Sequence, residues 1–102
     1  PLAQIGLKEQ EAERRGIKYR LHKIPASSIP KAKVLTQTDG LLKALVDPET
    51  DLILGATLLC AEAHELANLI KMAIDNGIPA SYLRSQIFTH PTIAEGLNDL
   101  FA

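Results

Sequence analysis

A histidine and a glutamate near the end of the chain are the residues best suited to acid–base chemistry. The stretch reads IFTHPTIAEGLNDLFA and places His90 directly before Pro91. A following proline disfavours the helical conformation, so His90 is expected to be extended and to lie outside the next helix. Glu95 could accept a hydrogen bond from the imidazole, fix its tautomer and raise its basicity. Such a pair could exchange protons near neutral pH.

The same glutamate has a purely structural interpretation. Thr92 is a natural N-cap, and the sequence from Thr92 to Glu95, TIAE, matches a capping box. In that motif the Glu95 carboxylate would bond to the backbone N–H of Thr92 and would not reach His90. The spacing of these residues leaves both interpretations open.

The remaining reactive side chains form no recognisable site. Cys60 ends the most apolar run and is expected to be a small buried hydrophobic residue. His22 falls on the polar positions of an alternating strand, and His64 lies beside an apolar helical stripe, so both are expected to be exposed. Their scattered spacing predicts no metal site, and the chain has no glycine-rich phosphate loop.

Composition predicts one soluble domain. The chain has 102 residues, 46% of them hydrophobic, with a net charge of −1, which favours neither nucleic acid nor a membrane as a partner. A single cysteine fits a reducing, cytoplasmic location. The chain begins at Pro1 without methionine, so we expect a piece of a longer protein.

The first half of the sequence predicts strands and one short helix. An apolar opening is followed by a predicted helix from Lys8 to Gly16 and by an alternating strand from Ile17 to Pro25. Ala26 to Lys33 has a loop composition.

Two further strands are predicted to form a hairpin about the turn DPETD, from Gly40 to Pro48 and from Asp51 to Leu59. The second is almost wholly apolar and is expected to be central in the sheet. Gly40 and Gly55 are expected to stand where backbone crowding excludes a side chain.

Helices occupy the rest of the chain. A long helix is predicted from about Ala61 to Asn76, a short one near Tyr82 to Gln86, and a last one after Pro91. This order of elements predicts an α+β fold, with an antiparallel sheet covered by helices on one face.

Taken together, these segments resemble the C-terminal dimerisation (interface) domain of the flavin-dependent pyridine nucleotide-disulfide oxidoreductases, such as the glutathione, lipoamide and mercuric reductases. The matching segments are IGLKEQEA, DGLLKALVDPETDLILGA, AEAHELANLIKMAIDNGI and the terminal HPTIAE. They occur in the family's order and cover essentially residues 1–102, which the resemblance makes a single domain of a longer flavoenzyme.

The resemblance implies a homodimer in which this domain completes the active site of the other subunit. His90 would be the general acid/base for a redox-active cysteine pair, and Glu95 would hydrogen-bond its ring. The cysteine pair, FAD and NAD(P)H would belong to upstream domains, so the isolated chain would be inactive. The substrate stays open among disulfides, dihydrolipoamide and reactive oxidants.

Two other functions are compatible with the residues alone. The chain could be a free-standing interaction or regulatory domain with a structural His90. It could also be a small hydrolase that uses Cys60 and His90, which requires those side chains to be adjacent.

Overall fold

A computed structural model describes residues 2–25, 40–60, 62–85 and 96–102. The elements in chain order are β1 (Leu2–Gly6), α1 (Glu9–Arg14), β2 (Arg20–Pro25), β3 (Leu41–Val46), β4 (Ile53–Leu59), α2 (Ala63–Asp75), α3 (Ala80–Ser85) and α4 (Gly96–Leu100). The strands form one antiparallel sheet in the order β1-β4-β3-β2. The predicted α+β class is confirmed.

One face of this sheet, called the inner face, carries the hydrophobic core. Successive strand residues point to opposite faces, and the inward positions of β1, β3 and β4 are almost entirely apolar. Helices α2 and α4 pack on them, and Ala80 and Leu83 of α3 belong to the same core. The central strand β4 is thereby buried on this face, as its apolar sequence predicts. The fully or almost fully buried side chains include Leu42, Ala44, Val46, Ala56 and Leu58 from the sheet and Leu66, Ile70, Leu97 and Leu100 from the helices.

The predicted hairpin between β3 and β4 is confirmed. Asp47 organises its turn: the Asp47 carboxylate accepts the backbone N–H of Glu49 at 2.8 Å, and its carbonyl accepts the N–H of Asp51 at 2.9 Å. The strand register shifts between Leu45 and Val46, so the hairpin contains an irregularity close to the turn.

Backbone crowding explains two glycines, as the sequence predicts. A Cβ on Gly55 would lie 2.0 Å from the carbonyl oxygen of Leu7, and one on Gly40 would lie 2.0 Å from that of Leu59. Both contacts are far inside van der Waals distance and involve backbone atoms. A side chain at either position would therefore displace a neighbouring segment.

Helix α1 lies against the opposite, outer face of the sheet, which carries Leu2, Gln4, Leu21, Lys43, Thr57 and Leu59. Glu9 pairs with Lys43 at 3.2 Å, and the Tyr19 hydroxyl donates to Glu9 at 3.0 Å. Desolvation and the neighbouring carboxylates raise the pKa of Tyr19 to about 12, so the phenol keeps its proton and remains a donor. Lys8 stands at the N-cap without a side-chain capping bond, as expected for lysine.

The prediction for β2 is wrong in its starting point and in its buried face. The strand begins at Arg20, not at Ile17. Leu21 pairs with Leu45 on the outer face and is 44% exposed, whereas His22 pairs with Ala44 on the inner face. Alternation gives the period of a strand, but both sets of positions contain apolar and polar residues, so it does not choose the face.

The helices agree with the sequence within the described ranges. The long helix predicted from Ala61 to Asn76 is α2, and the short helix predicted near Tyr82 is α3. Gln86, the start of the last helix after Pro91, and the loop from Ala26 to Lys33 lie outside the described residues.

Candidate functional site

The predicted acid–base pair, His90 and Glu95, lies outside the described residues. The helices that flank it in the sequence are described: α3 ends at Ser85 and α4 begins at Gly96. The described contacts nearest to the pair in the sequence are therefore those that hold these two helices. Whether Glu95 caps a helix or contacts His90 stays a prediction.

Asn98 joins the two flanking helices directly. Its side-chain amide donates to the carbonyl oxygen of Leu83 at 2.9 Å and to that of Arg84 at 3.1 Å. These carbonyls belong to the C-terminal part of α3 as described, Ala80–Ser85. The C-terminal end of α3 and the body of α4 are consequently held side by side.

His22 attaches α4 to the sheet. Its Nδ1 lies 2.9 Å from the carbonyl oxygen of Leu100, and its ring centroid lies 5.7 Å from that of Phe101, with the planes tilted by 56°. Leu100 and Phe101 are both buried. One histidine from an edge strand thus contacts the end of α4 through a hydrogen bond and a ring contact.

Asp51 attaches the other flanking helix. Its carboxylate accepts the backbone N–H of Ser81 at 2.8 Å, and its carbonyl accepts that of Ala80 at 2.7 Å. The same carboxylate pairs with Arg20 at 2.7 Å, and Arg20 Nε donates to His22 Nε2 at 2.9 Å. Asp51 therefore anchors the start of α3 and, through Arg20, connects it to His22.

These contacts shift the pKa values of His22 and Asp51. Burial lowers the pKa of His22 from its ordinary 6.5, the Leu100 carbonyl opposes this, and the charge of Arg20 adds to it. The Ser81 N–H, followed by Arg20, lowers the pKa of Asp51 below 3.8. Neutral His22 and ionised Asp51 are accordingly the forms that the folded domain favours near neutral pH.

The exposed position expected for His22 is thus wrong, and sequence reasoning singled out none of Arg20, Asp51 and Asn98. The one local signal for His22 was Ile24, two positions away and on the same face of an alternating strand. For the others the sequence carries no signal, because Arg20 and Asp51 are 31 positions apart and Asn98 and Leu83 are 15 apart.

Cys60 and His64 have the environments that the sequence predicts. Cys60 is 4% exposed, and burial raises the pKa of its thiol, which favours the unreactive protonated form. His64 is exposed on α2. The hydrolase alternative needs a reactive Cys60, so the burial of its thiol argues against it.

Within the part of the chain that the structure describes, no group of three or more histidine, cysteine or acidic side chains is placed to bind a metal ion. None of the helices described there has the length and apolar character needed to cross a bilayer.

Comparison with known proteins identifies the domain. A family model for the pyridine nucleotide-disulphide oxidoreductase dimerisation domain matches residues 1–101. The chain is 47% identical over 102 residues to the probable pyridine nucleotide-disulfide oxidoreductase RclA of Escherichia coli K12, covering 100% of this chain and 23% of that protein. It is 36% identical over 98 residues to the mitochondrial dihydrolipoyl dehydrogenase of Schizosaccharomyces pombe, covering 96% and 19%.

Solved structures agree with these sequence matches. The structure of the HOCl-induced flavoprotein disulfide reductase RclA from Escherichia coli aligns with a TM-score of 0.95 at 48% identity, over 99% of this chain and 23% of that chain. LpdA from Mycobacterium tuberculosis aligns with a TM-score of 0.89 over 98% of this chain and 22% of that chain; at 19% identity it supports the fold alone. The chain spans about a fifth of the length of its curated relatives. Since the family model covers all but its last residue, the chain belongs to the pyridine nucleotide-disulphide oxidoreductase dimerisation domain family.

Proposed function

We propose that residues 1–102 are the C-terminal dimerisation domain of an FAD-dependent pyridine nucleotide-disulfide oxidoreductase that works as a homodimer. The observation that carries this proposal is the family match over residues 1–101, which includes the terminal HPTIAE segment. Because the chain spans about a fifth of its relatives, the rest of the enzyme would lie in upstream domains.

His90 is proposed to act on the redox cysteine pair of the partner subunit. As a base, its imidazole would take the proton of one thiol, and the resulting thiolate would attack a substrate disulfide. As an acid, the imidazolium would return that proton to the thiolate that leaves. Histidine suits both steps because its pKa lies near neutral pH. Glu95 would accept a hydrogen bond from the ring and hold it in one tautomer.

This domain is proposed to bind neither FAD nor NAD(P)H by itself. The sequence contains no glycine-rich phosphate-binding loop. Both cofactors would therefore be bound by the upstream domains, and this domain would contribute only protons and dimer contacts. A cytoplasmic location is part of the same proposal, since the single, buried Cys60 suits a reducing compartment.

Mixed dimers of the full-length protein test whether His90 of one subunit serves the cysteine pair of the other. One subunit would carry His90→Ala and the other serines in place of the redox cysteines. Each variant homodimer should lose roughly 10²- to 10⁴-fold in turnover, the usual contribution of an acid–base group or more. The mixed dimer would contain one intact site, so it should recover about half of the wild-type activity per dimer.

A mixed dimer as inactive as its parents would show that His90 does not serve the partner's cysteines. Turnover unchanged in the His90→Ala homodimer would remove the catalytic role altogether and would favour the alternative of an interaction domain with a structural His90.

Glu95→Gln separates the two roles of the glutamate. Glutamine also serves a capping box, so the helix should keep its stability, while the loss of charge should weaken the orientation of the imidazole. We expect lower turnover with an unchanged melting temperature. Equal turnover would leave Glu95 as a helix cap.

The coding sequence upstream of Pro1 tests the domain assignment. A dinucleotide-binding GxGxxG segment and a closely spaced cysteine pair are expected there. A start codon immediately before Pro1 would favour a free-standing domain.

A further inference from the structure

We propose that an apolar row at one end of the outer face of the sheet is the docking surface for the upstream domain of the same chain. The row crosses all four strands and consists of Leu2, Leu59, Leu41 and Pro25. The inference rests on the proposed function, which places the other domains of the enzyme before Pro1. It assigns an interaction surface to residues that the motif HPTIAE does not include.

The strand register places these four side chains beside one another. Leu2 pairs with Leu59, Leu59 pairs with Leu41, and Leu41 pairs with Pro25. Residues that pair across antiparallel strands share one face of the sheet, and their neighbours along β1, β3 and β4 belong to the core on the inner face. With strands ~4.8 Å apart, the row is about 14 Å long.

The side chains of the row are largely exposed. Leu2 is 62% exposed, Leu59 is 44% exposed, Pro25 is exposed and Leu41 is half-buried. An antiparallel sheet with one covered face usually carries polar residues on the other. Single exposed apolar side chains are ordinary, whereas adjoining ones on one face indicate an interaction surface. The row therefore differs from a normal solvated sheet face.

The opposite end of the outer face is covered in part by the domain itself. The segment between β1 and α1 crosses the sheet there, and the backbone of Leu7 lies directly over Gly55. Leu45, which pairs with Gly55, is only 3% exposed, while Leu21 on the edge strand keeps 44% exposure. This crossing segment does not extend to the row, which the described residues leave uncovered.

A polar cleft of about 340 Å³ adjoins the row between β1, β3, β4 and the start of α1. Leu2 belongs both to the row and to the lining of this cleft. Deeper in the cleft, Thr57 bonds to Gln4, and Lys43 pairs with Glu9 at 3.2 Å. An apolar centre with a polar margin is the usual composition of a protein interface. A docked domain would cover the row with apolar side chains and place polar ones at the cleft.

The place of Leu2 in the chain identifies the occupant. Leu2 is the first residue of β1, so the chain that precedes it in the full-length protein joins the sheet at the row itself. The domain covers 23% of RclA and 19% of the Schizosaccharomyces pombe enzyme, so the proposed upstream part is larger than the domain. A tethered partner has an effective concentration of about millimolar, which keeps even a small surface covered.

A second copy of the chain fits this surface less well. A row about 14 Å long is small beside the ~2,000 Å² or more that an obligate homodimer buries. Contacts between domains of one chain begin at about 600 Å², because the covalent connection supplies part of the association. The size of the surface therefore favours the upstream domain.

Hydroxyl-radical labelling of the full-length protein, read by mass spectrometry, tests whether the row is covered. Leu21 is the internal reference, because it lies on the same face and has the same 44% exposure in the domain as Leu59. Labelling of Leu59 should be about fivefold or more below that of Leu21, as expected when a half-exposed side chain becomes buried. Equal labelling of the two leucines would overturn the inference.

Amine-reactive cross-linking of Lys8, an exposed side chain that lines the cleft, identifies the occupant. Full-length dimers are assembled from subunits labelled with light and with heavy nitrogen. Cross-links from Lys8 to upstream lysines should join two light or two heavy peptides, because both belong to one chain. Mixed light and heavy pairs would assign the row to a second copy, and cross-links confined to residues 1–102 would leave it without the upstream domain; either result overturns the inference.

Leu59→Glu in the full-length protein tests the contribution of the row. A carboxylate is costly in a desolvated contact, so the domains should separate there and labelling of Leu2 should rise about fivefold or more. Leu21→Glu makes the same change at a side chain of equal exposure and should leave Leu2 as in wild type. Far-UV circular dichroism checks that both variants keep their fold. Continued protection of Leu2 in Leu59→Glu, or an equal rise in both variants, would contradict the proposal.

Failure of the inference is distinguishable from failure of the proposed function. A start codon immediately before Pro1, or unchanged turnover in His90→Ala, counts against the proposed function. If the upstream domains are present and His90→Ala has its expected effect while Leu59 and Leu21 are labelled equally, only the inference fails.

Discussion

Asp51 illustrates at the residue scale how one side chain can serve several elements. Its backbone has φ = 62°, a left-handed conformation that aspartate tolerates better than most residues. From that position its carboxylate faces both Ser81 and Arg20. The turn conformation, the start of α3 and the link to His22 therefore depend on the same residue.

Asp51→Gly should destabilise the 102-residue chain by about 1–2 kcal/mol, because it keeps the turn conformation but removes the acceptor for the Ser81 N–H. Asp51→Asn keeps an acceptor and removes only the charge, so this variant should lose less of the free energy of unfolding. Urea unfolding at pH 7 measures both. Equal stability of the glycine variant and wild type would show that this acceptor contributes nothing.

The pH dependence of the Asp51→Asn difference provides a second check. The pKa of Asp51 is lowered in the folded state, so its charge stabilises the fold above the ordinary value of 3.8, and this contribution is lost as the pH falls through the lowered value. The stability difference should be constant from pH 5 to 8 and should close below pH 3.8. A difference that persists unchanged in acid would contradict the electrostatic cause.

At the scale of elements, strand β4 organises the domain because it pairs on both sides and is covered on its inner face and, at Gly55, on its outer face. Helix α2 packs on its inner face, and the segment between β1 and α1 crosses its outer face at Gly55. The N–H of Leu7 bonds to the carbonyl of Leu54 at 3.0 Å, which fixes this crossing. The absence of a side chain at Gly55 is what allows so close an approach.

Gly55→Ala should destabilise the chain by roughly 3 kcal/mol, since the new methyl group would overlap the backbone of Leu7. Gly77→Ala is the matched control: it has φ = +64° and no atom within 4 Å of the added Cβ. Its cost should be about 1 kcal/mol, that of a left-handed alanine. Urea unfolding of both variants measures the difference. Equal losses would show that the segment at Leu7 moves aside easily.

At the scale of the whole molecule, exposed apolar side chains lie on both sides of the domain. Met72 on α2 is 61% exposed, and the partly buried Leu69 lies one turn before it. On the outer face of the sheet, Leu21 is 44% exposed. We expect the long helix α2 and the final segment of the chain to supply much of the apolar dimer contact, which selects the α2 side as the proposed interface.

Met72→Glu in the full-length protein should therefore weaken dimerisation by about tenfold or more, as expected when a charge enters an apolar interface. It should leave the fold stable, because Met72 is exposed in the domain. Leu21→Glu places the same charge on the opposite side and should leave the dimer intact. Sedimentation velocity across a range of concentrations distinguishes the two, and the reverse result would place the interface on the outer face of the sheet.

The sequence predicted those features that depend on neighbours in the chain. The hairpin followed from the turn residues between two apolar runs, and α2 followed from its apolar spacing. The crowding that leaves no room for a side chain at Gly40 and Gly55 followed from their positions at the start and in the interior of predicted strands. The catalytic assignment of His90 and Glu95 came from the resemblance of HPTIAE to a family motif, and it remains a proposal that the variants above test.

By itself, then, the sequence determined the α+β class, the hairpin, the central place of β4 and membership of the family. Only the tertiary structure decided which face of β2 is buried and what His22 contacts. His22 and its partner Leu100 are 78 positions apart in the sequence, and Arg20 and Asp51 are 31 positions apart. Periodicity reports a residue's local conformation, whereas a contact between distant residues exists only after packing has brought their elements together.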